Sequence, residues 1–246
     1  MAHSDGCRRR GRASHGLGGH RARLAADRGC RRRRDRTGRR RWVHPLDPPI
    51  RAAREGGALV SVLGADARRL VDGAAVSSER ERAAREDFAT FFADDDGPVS
   101  RDDGPRHATA SAFAFDPTLA RTLLVFHGKG RFWVQPGGHL ERGDASITHA
   151  ALRELREETG ADPAPLGDRF GDRFVYDLDH HALSSAFGRC ASHLDIGVAV
   201  VVPDGAPLRL SDESEDVRWW ALDALPADVP HGFEQRVLRL RDRLAG

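Results

Sequence analysis

Long apolar runs are missing from this 246-residue chain. No stretch approaches the roughly 18 consecutive apolar residues that a membrane-spanning helix needs, and the first thirty residues lack the apolar core of a secretory signal. The expectation is a soluble, cytoplasmic protein with no membrane partner. Cysteine is scarce too. Cys7, Cys30 and Cys190 stand far apart with no C-x-x-C pairing, so the sequence implies neither a zinc site nor a disulfide framework. Lysine is almost absent: Lys129 stands alone beside 38 arginines. Together with abundant Ala and Gly this reads as GC-rich coding, so arginine richness alone argues little about function.

What is present is unevenly spread. Residues 1–55 carry 17 arginines against 5 acidic residues, whereas 56–246 carry 22 basic residues against 32 acidic ones. The first segment has few large apolar residues and no helical or strand period, so it cannot bury enough surface to fold and is expected to be disordered. Its arginines suit phosphate neutralisation, but no aromatic residues are interleaved to stack on bases, and Trp42 stands alone. Nucleic acid is therefore not the expected partner. Residues 56–105 form a second unit. Apolar positions Leu63, Leu70, Val71, Ala83, Phe88, Phe91 and Phe92 fall among charges as one or two amphipathic helices, and the Asp-, Gly- and Pro-rich run from 93 onward reads as a linker.

The third unit, 106–246, is α/β. Strands are expected at 109–115, 122–127, 131–135, 172–179, 194–202 and 217–222, with a closing helix at EQRVLRLRDRL. One helix is predicted from about Ser146 to Thr159, capped by Asp144 or Ser146 and stopped by Gly160. On it Glu154, Glu157 and Glu158 fall at i, i+3 and i+4, three carboxylates on one face. Each like-charge pair costs about 0.2–0.5 kcal/mol even when exposed, so the cluster calls for a cation, and hard oxygen donors match Mg²⁺ or Mn²⁺. Ile147, Ala150, Ala151 and Leu155 form the opposite, sheet-facing stripe. Pro136, Gly137 and Gly138 read as a turn after a strand that brings bare backbone to the acidic face, able to present a carbonyl to a metal or an amide to a phosphate.

The stretch PGGHLERGDASITHAALRELREETGA resembles the signature of the Nudix hydrolase family, G-x5-E-x7-R-E-U-x-E-E-x-G-U, where U is aliphatic. Gly138, Arg153, Glu154, Leu155, Glu157, Glu158, Gly160 and Ala161 align with it. At roughly 7% usage for each of six Gly, Arg and Glu positions, a chance match at a given start is about 10⁻⁷. The chain departs from the pattern twice: the spacing from Gly138 to Arg153 is one residue longer, and Asp144 stands where the first glutamate is usual.

The resemblance implies an α/β/α sandwich with a mixed sheet and flanking helices. It also implies a pyrophosphohydrolase acting on an acid anhydride in a small-molecule nucleoside diphosphate derivative, with Mg²⁺ or Mn²⁺ as cofactor; a homodimer would be in keeping with the family. Glu154, Glu157 and Glu158 would bind metal, with the Gly137 carbonyl as a further ligand. Arg153 would orient the carboxylates, and Glu154 or a late acidic residue (Glu213 first, then Glu215 or Asp216) would accept the proton of water. Gly138, His139 and Arg131 are the candidate substrate contacts. The alternative is a catalytically inactive nucleotide-sensing module, which retention of the three glutamates and Arg153 argues against. His180, His181, Cys190 and His193 suggest a transition-metal site, but HH-x8-C-x2-H is no recognised tetrahedral spacing and argues against it.

Overall fold

Alternation along one ten-residue strand decides the architecture. The computed structural model describes residues 31–34, 40–43, 62–93, 99–163, 174–211 and 214–246. Within Met1–Pro49, a unit of its own, β1 (Arg31–Arg34) and β2 (Arg40–Val43) pair antiparallel. The remainder of the segment expected to be disordered lies outside the described residues.

The second unit begins with two helices, α1 (Val62–Gly73) and α2 (Glu79–Phe91). Ser78 caps α2 in a reciprocal capping box with Glu81, satisfying orphan amides of the first turn. The strand β3 (Arg106–Phe115) follows and is buried from its second residue onward. Ala108, Ala110, Ala112 and Ala114 join one apolar cluster with α1 and α2, while Phe113 and Phe115 join a second cluster on the opposite face. A period of two thus sends small side chains to one layer and large rings to the other.

Seven strands form one mixed sheet in the order β5-β4-β3-β8-β7, with β6 also on β3 and β9 on β4. These are β4 (Arg121–His127), β5 (Phe132–Val134), β6 (Gly137–His139), β7 (Val175–Ala182), β8 (Ser192–Val201) and β9 (Ser214–Ala221). β3 and β8 run parallel over their full length, and β7 pairs antiparallel with β8. The other edge of β3 is shared, Thr109–Ser111 pairing with β6 and Ala114–Phe115 with β4. Gly137 and Gly138, expected in a turn, are therefore in a short strand.

The central helix α3 (Ile147–Thr159) lies on the alanine face. Ser146 Oγ accepts the His149 amide at 3.0 Å, and Gly160 ends the helix at φ 71°. The expected stripe of Ile147, Ala150, Ala151 and Leu155 is fully buried. The small side chains of β3 let this helix approach closely, and each fully buried Ile or Leu contributes about 1.5–3 kcal/mol. The Ile147 amide also donates to Asp66 Oδ2 of α1 at 2.8 Å. On the other face, α4 (Phe233–Ala245) buries Phe233, Val237, Leu240 and Leu244 against Phe113, Phe115 and Val201. Helices on both faces of a mixed sheet make the α/β/α arrangement.

Beneath α4 lies a buried polar knot. Arg236 Nε donates to Asp177 Oδ2 at 2.7 Å and Nη1 to Asp179 Oδ2 at 3.1 Å. Asp195 accepts from Thr109 at 2.9 Å and from Ser111 at 2.7 Å. Burial pushes the Asp177 carboxyl up. It does the same to Asp179, but Arg236 and His181 outweigh it and hold that carboxyl below its ordinary range.

Candidate active site

Arg153 is the hub of the acidic helix face. Its Nε donates to Asp144 Oδ1 and its Nη2 to Asp144 Oδ2, both at 3.0 Å, a two-pronged grip of guanidinium on carboxylate. Nη1 donates to Glu154 Oε1 at 2.8 Å and to Glu157 Oε2 at 2.9 Å. Nη2 also donates to the His139 carbonyl at 2.9 Å, tying the helix to β6. One cation thus bridges three carboxylates, offsetting part of their charge, and ties them to the strand that faces them.

Asp144 occupies the longer loop and is almost wholly buried. Its Oδ2 accepts the Glu141 amide at 2.8 Å, and the His149 ring lies 3.2 Å from Oδ1. Burial would raise this carboxyl, but Arg153, the Glu141 amide and His149 prevail and hold it below its usual value. The helix cap is Ser146, which leaves Asp144 free for Arg153. The shorter acid therefore reaches the arginine from a loop that carries one more residue.

The two glycines are there for space. A Cβ on Gly138 would stand 2.6 Å from Glu154 Oε1, and one on Gly137 would stand 2.5 Å from the Ser111 Cβ. The Gly137 amide donates to Glu158 Oε2 at 3.1 Å, so the backbone contact seen at this residue is made by its N–H. Glu158 is buried while Glu157 is exposed, so the carboxylates are graded from anchored to open. Three hard oxygen donors, with the Glu154 carboxylate seated against the bare Gly138 backbone, fit a divalent cation of the Mg²⁺ type.

Other expected residues lie elsewhere. Arg131, at φ 59° in the β4–β5 turn, pairs with Glu215 and sits 4.9 Å over the Phe126 ring. Asp216 pairs with Arg218. Neither Arg131 nor these two acidic residues has a described hydrogen bond or ion pair to α3. Glu213 lies outside the described residues. Trp133 is buried edge-on against Trp220 and Phe126.

His139 is not a solvent-exposed turn residue. Its ring packs 5.0 Å from that of His107 and 5.3 Å from that of His193, and its Nε2 is 3.7 Å from Cys190 Sγ. Burial and the neighbouring His107 push its imidazole down to about 4. His193 is pushed down to about 3 by burial and by His181, His139 and His107. The cluster differs from the histidines grouped by sequence: His180 instead meets Asp87 at 2.7 Å, and His181 meets Asp179 at 2.9 Å. His107 gave no sequence signal.

The family model for the NUDIX domain matches residues 105–240. The chain belongs to the Nudix family. Solved Nudix structures are similar in part. A C. elegans Ap4A hydrolase is 16% identical, with 56% of this chain and 98% of that one covered and a TM-score of 0.42. For the E. coli dihydroneopterin triphosphate pyrophosphohydrolase the identity is 15%, the coverage 58% and 96%, and the TM-score 0.44. A NUDIX hydrolase from Nitrosomonas europaea is 23% identical, covering 55% and 87%, with a TM-score of 0.41. No curated protein sequence matches the chain.

Proposed function

We propose that this Nudix protein is a divalent-metal-dependent pyrophosphohydrolase that cleaves the diphosphate linkage of a nucleoside diphosphate joined to another moiety. The observation that carries the reading is the Arg153 hub, which pairs with Asp144, Glu154 and Glu157 and so aligns the acidic face beside the Gly138 backbone.

In this reading Glu154, Glu157 and Glu158 hold Mg²⁺ or Mn²⁺. When bound, such an ion neutralises the anhydride oxygens and lowers the pKa of water. The protein's own groups do the rest. Glu158, anchored by the Gly137 amide, and Glu154, anchored by Arg153, keep fixed positions, so little reorganisation is left for the reaction. A carboxylate, Glu154 first, accepts the proton as the water oxygen bonds to phosphorus. The bridging P–O bond breaks with its electron pair leaving on the departing phosphate. Two phosphorylated halves result. Glu213 stays the candidate for a proton acceptor outside the helix, and Gly138, His139 and Arg131 the candidate substrate contacts. Of these, Gly138 adjoins Glu154.

A panel of dinucleotide, nucleoside-sugar and nucleoside triphosphate compounds incubated with Mg²⁺ or Mn²⁺ tests the proposal. Metal-dependent release of phosphorylated products that disappears in Glu157→Gln supports it. Binding without turnover across the panel overturns it in favour of a ligand sensor.

A further inference from the structure

A second cluster of metal-binding side chains lies beside β6, built from donors of a different chemical kind. His107 and His193 are register partners across the parallel β3–β8 pair, so both rings leave the sheet on one face. His139 ends β6, opposite Thr109 and one diagonal step from His107. Cys190 comes from the loop that precedes β8. One ligand atom from each of these four residues lies within 4.8 Å of all the others.

Three details separate this cluster from ordinary packing of histidines. His107 is fully buried, and its Nδ1 lies 2.8 Å from the Gly104 carbonyl. A carbonyl can only accept, so Nδ1 carries the proton and the Nε2 lone pair points the other way. That outer contact is the one by which metal-ligating histidines are commonly oriented. Secondly, His107 Nε2 and His193 Nε2 are both buried without a hydrogen-bond partner. Native interiors pair nearly all such atoms, so two orphans facing one cluster call for a common partner. Thirdly, a tetrahedron with nitrogen at about 2.0–2.1 Å and sulfur at about 2.3 Å has N–S edges of roughly 3.6 Å. Cys190 Sγ and His139 Nε2 are 3.7 Å apart.

We propose that His107, His139, Cys190 and His193 form a closed four-coordinate site for a zinc-class transition-metal ion, distinct from the carboxylate site on α3. Three imidazoles and one thiolate select a borderline-soft ion and discriminate against Mg²⁺, whose oxygen donors are on the helix. Two metal sites of opposite preference therefore occupy neighbouring positions. The ion would stitch β3, β6, β8 and the Cys190 loop together at one end of the sheet. His139 links the sites covalently: its side chain binds the ion, and its carbonyl accepts from Arg153.

The full-length protein, purified without added metal and dialysed, is analysed for bound metal by mass spectrometry. It is then stripped and reloaded with Co²⁺ for absorption spectroscopy. The expected result is one tightly held zinc per chain and a thiolate-to-cobalt charge-transfer band. Cys190→Ser removes the band and weakens zinc binding by more than about 100-fold, the upper end of what loss of an outer contact costs. His107→Gln does likewise, and Glu157→Gln retains both zinc and band. Should the buried His107 variant fail to fold, Cys190→Ser, in a partly exposed loop, decides alone. A native chain that neither retains zinc nor shows the band overturns the proposal. So does zinc binding that survives Cys190→Ser unchanged or is lost in Glu157→Gln.

Discussion

Asp144 and Arg153 meet through two parallel contacts of 3.0 Å, and the remaining guanidinium hydrogens reach Glu154, Glu157 and the His139 carbonyl. The aspartate is therefore the fixed end of a chain of contacts that finishes at the candidate metal-binding carboxylates.

Replacing Asp144 with Asn removes the charge while keeping the shape. Breaking a buried pair at one partner costs about 3–5 kcal/mol. Asp144→Asn should lose stability near the lower end of that range, because Asn still accepts one hydrogen bond, and kcat should fall by more than tenfold as Arg153 releases Glu154. Denaturant unfolding and steady-state kinetics check both. Unchanged kcat in a folded variant would show that the grip does not position the carboxylates.

The neighbouring glycines should respond differently to the same methyl group. In Gly138→Ala the new Cβ meets the carboxylate end of Glu154, a flexible side chain that yields by giving up its place beside Arg153, so stability changes by about 1 kcal/mol while metal-dependent turnover drops. In Gly137→Ala the new Cβ meets the Ser111 Cβ at 2.5 Å and its Cα at 2.8 Å, both held in the sheet. That variant should lose about 1–3 kcal/mol, the cost of overpacking. Thermal melts of the two variants side by side separate the cases.

Arg236 is buried among Asp177, Asp179 and Asp195. Arg236→Met leaves three carboxylates without their shared cation and should cost about 3–5 kcal/mol. Uptake of protons on folding should rise with it. Urea unfolding at two pH values reads out both effects.

Acid should weaken the contact between α2 and α4. Burial would raise the Glu81 carboxyl from its ordinary 4.5, but the Ser77 amide and Arg243 outweigh it and the net direction is down. A depressed carboxylate contributes stability above its unfolded pKa, and that stability is lost as pH falls through the folded value. Glu81→Gln should therefore be less stable than the native chain at pH 7, with the gap narrowing steadily below pH 4.5. A gap that stays constant down to pH 3 would contradict this.

Much of the site is legible in the sequence because its signals are local. The three glutamates, the Ser146 cap and the Gly160 stop all lie within one turn of the helix they define, and α3 forms where they place it. β6 escapes detection because Gly-Gly-His has no strand propensity of its own. It is a strand only because β3 offers an unpaired edge there. His107 escapes for a related reason: its neighbours arrive through parallel pairing with a strand far along the chain, which no spacing rule records. Asp144 and the extra residue are both visible as departures from the signature, whereas the grip of Asp144 on Arg153 shows only in three dimensions.

The Ile147 amide at the head of α3 is received by Asp66, a residue nearly forty positions before the matched family region begins. α1 and α2 also share the apolar cluster on which α3 rests. The packing that supports α3 therefore extends beyond the matched family region. A truncated chain starting at residue 105 would keep every signature residue, yet bare the alanine face of β3 and leave the acidic helix unsupported at its start. Two helices outside the matched region thus brace the acidic helix at its first residue and along its buried face.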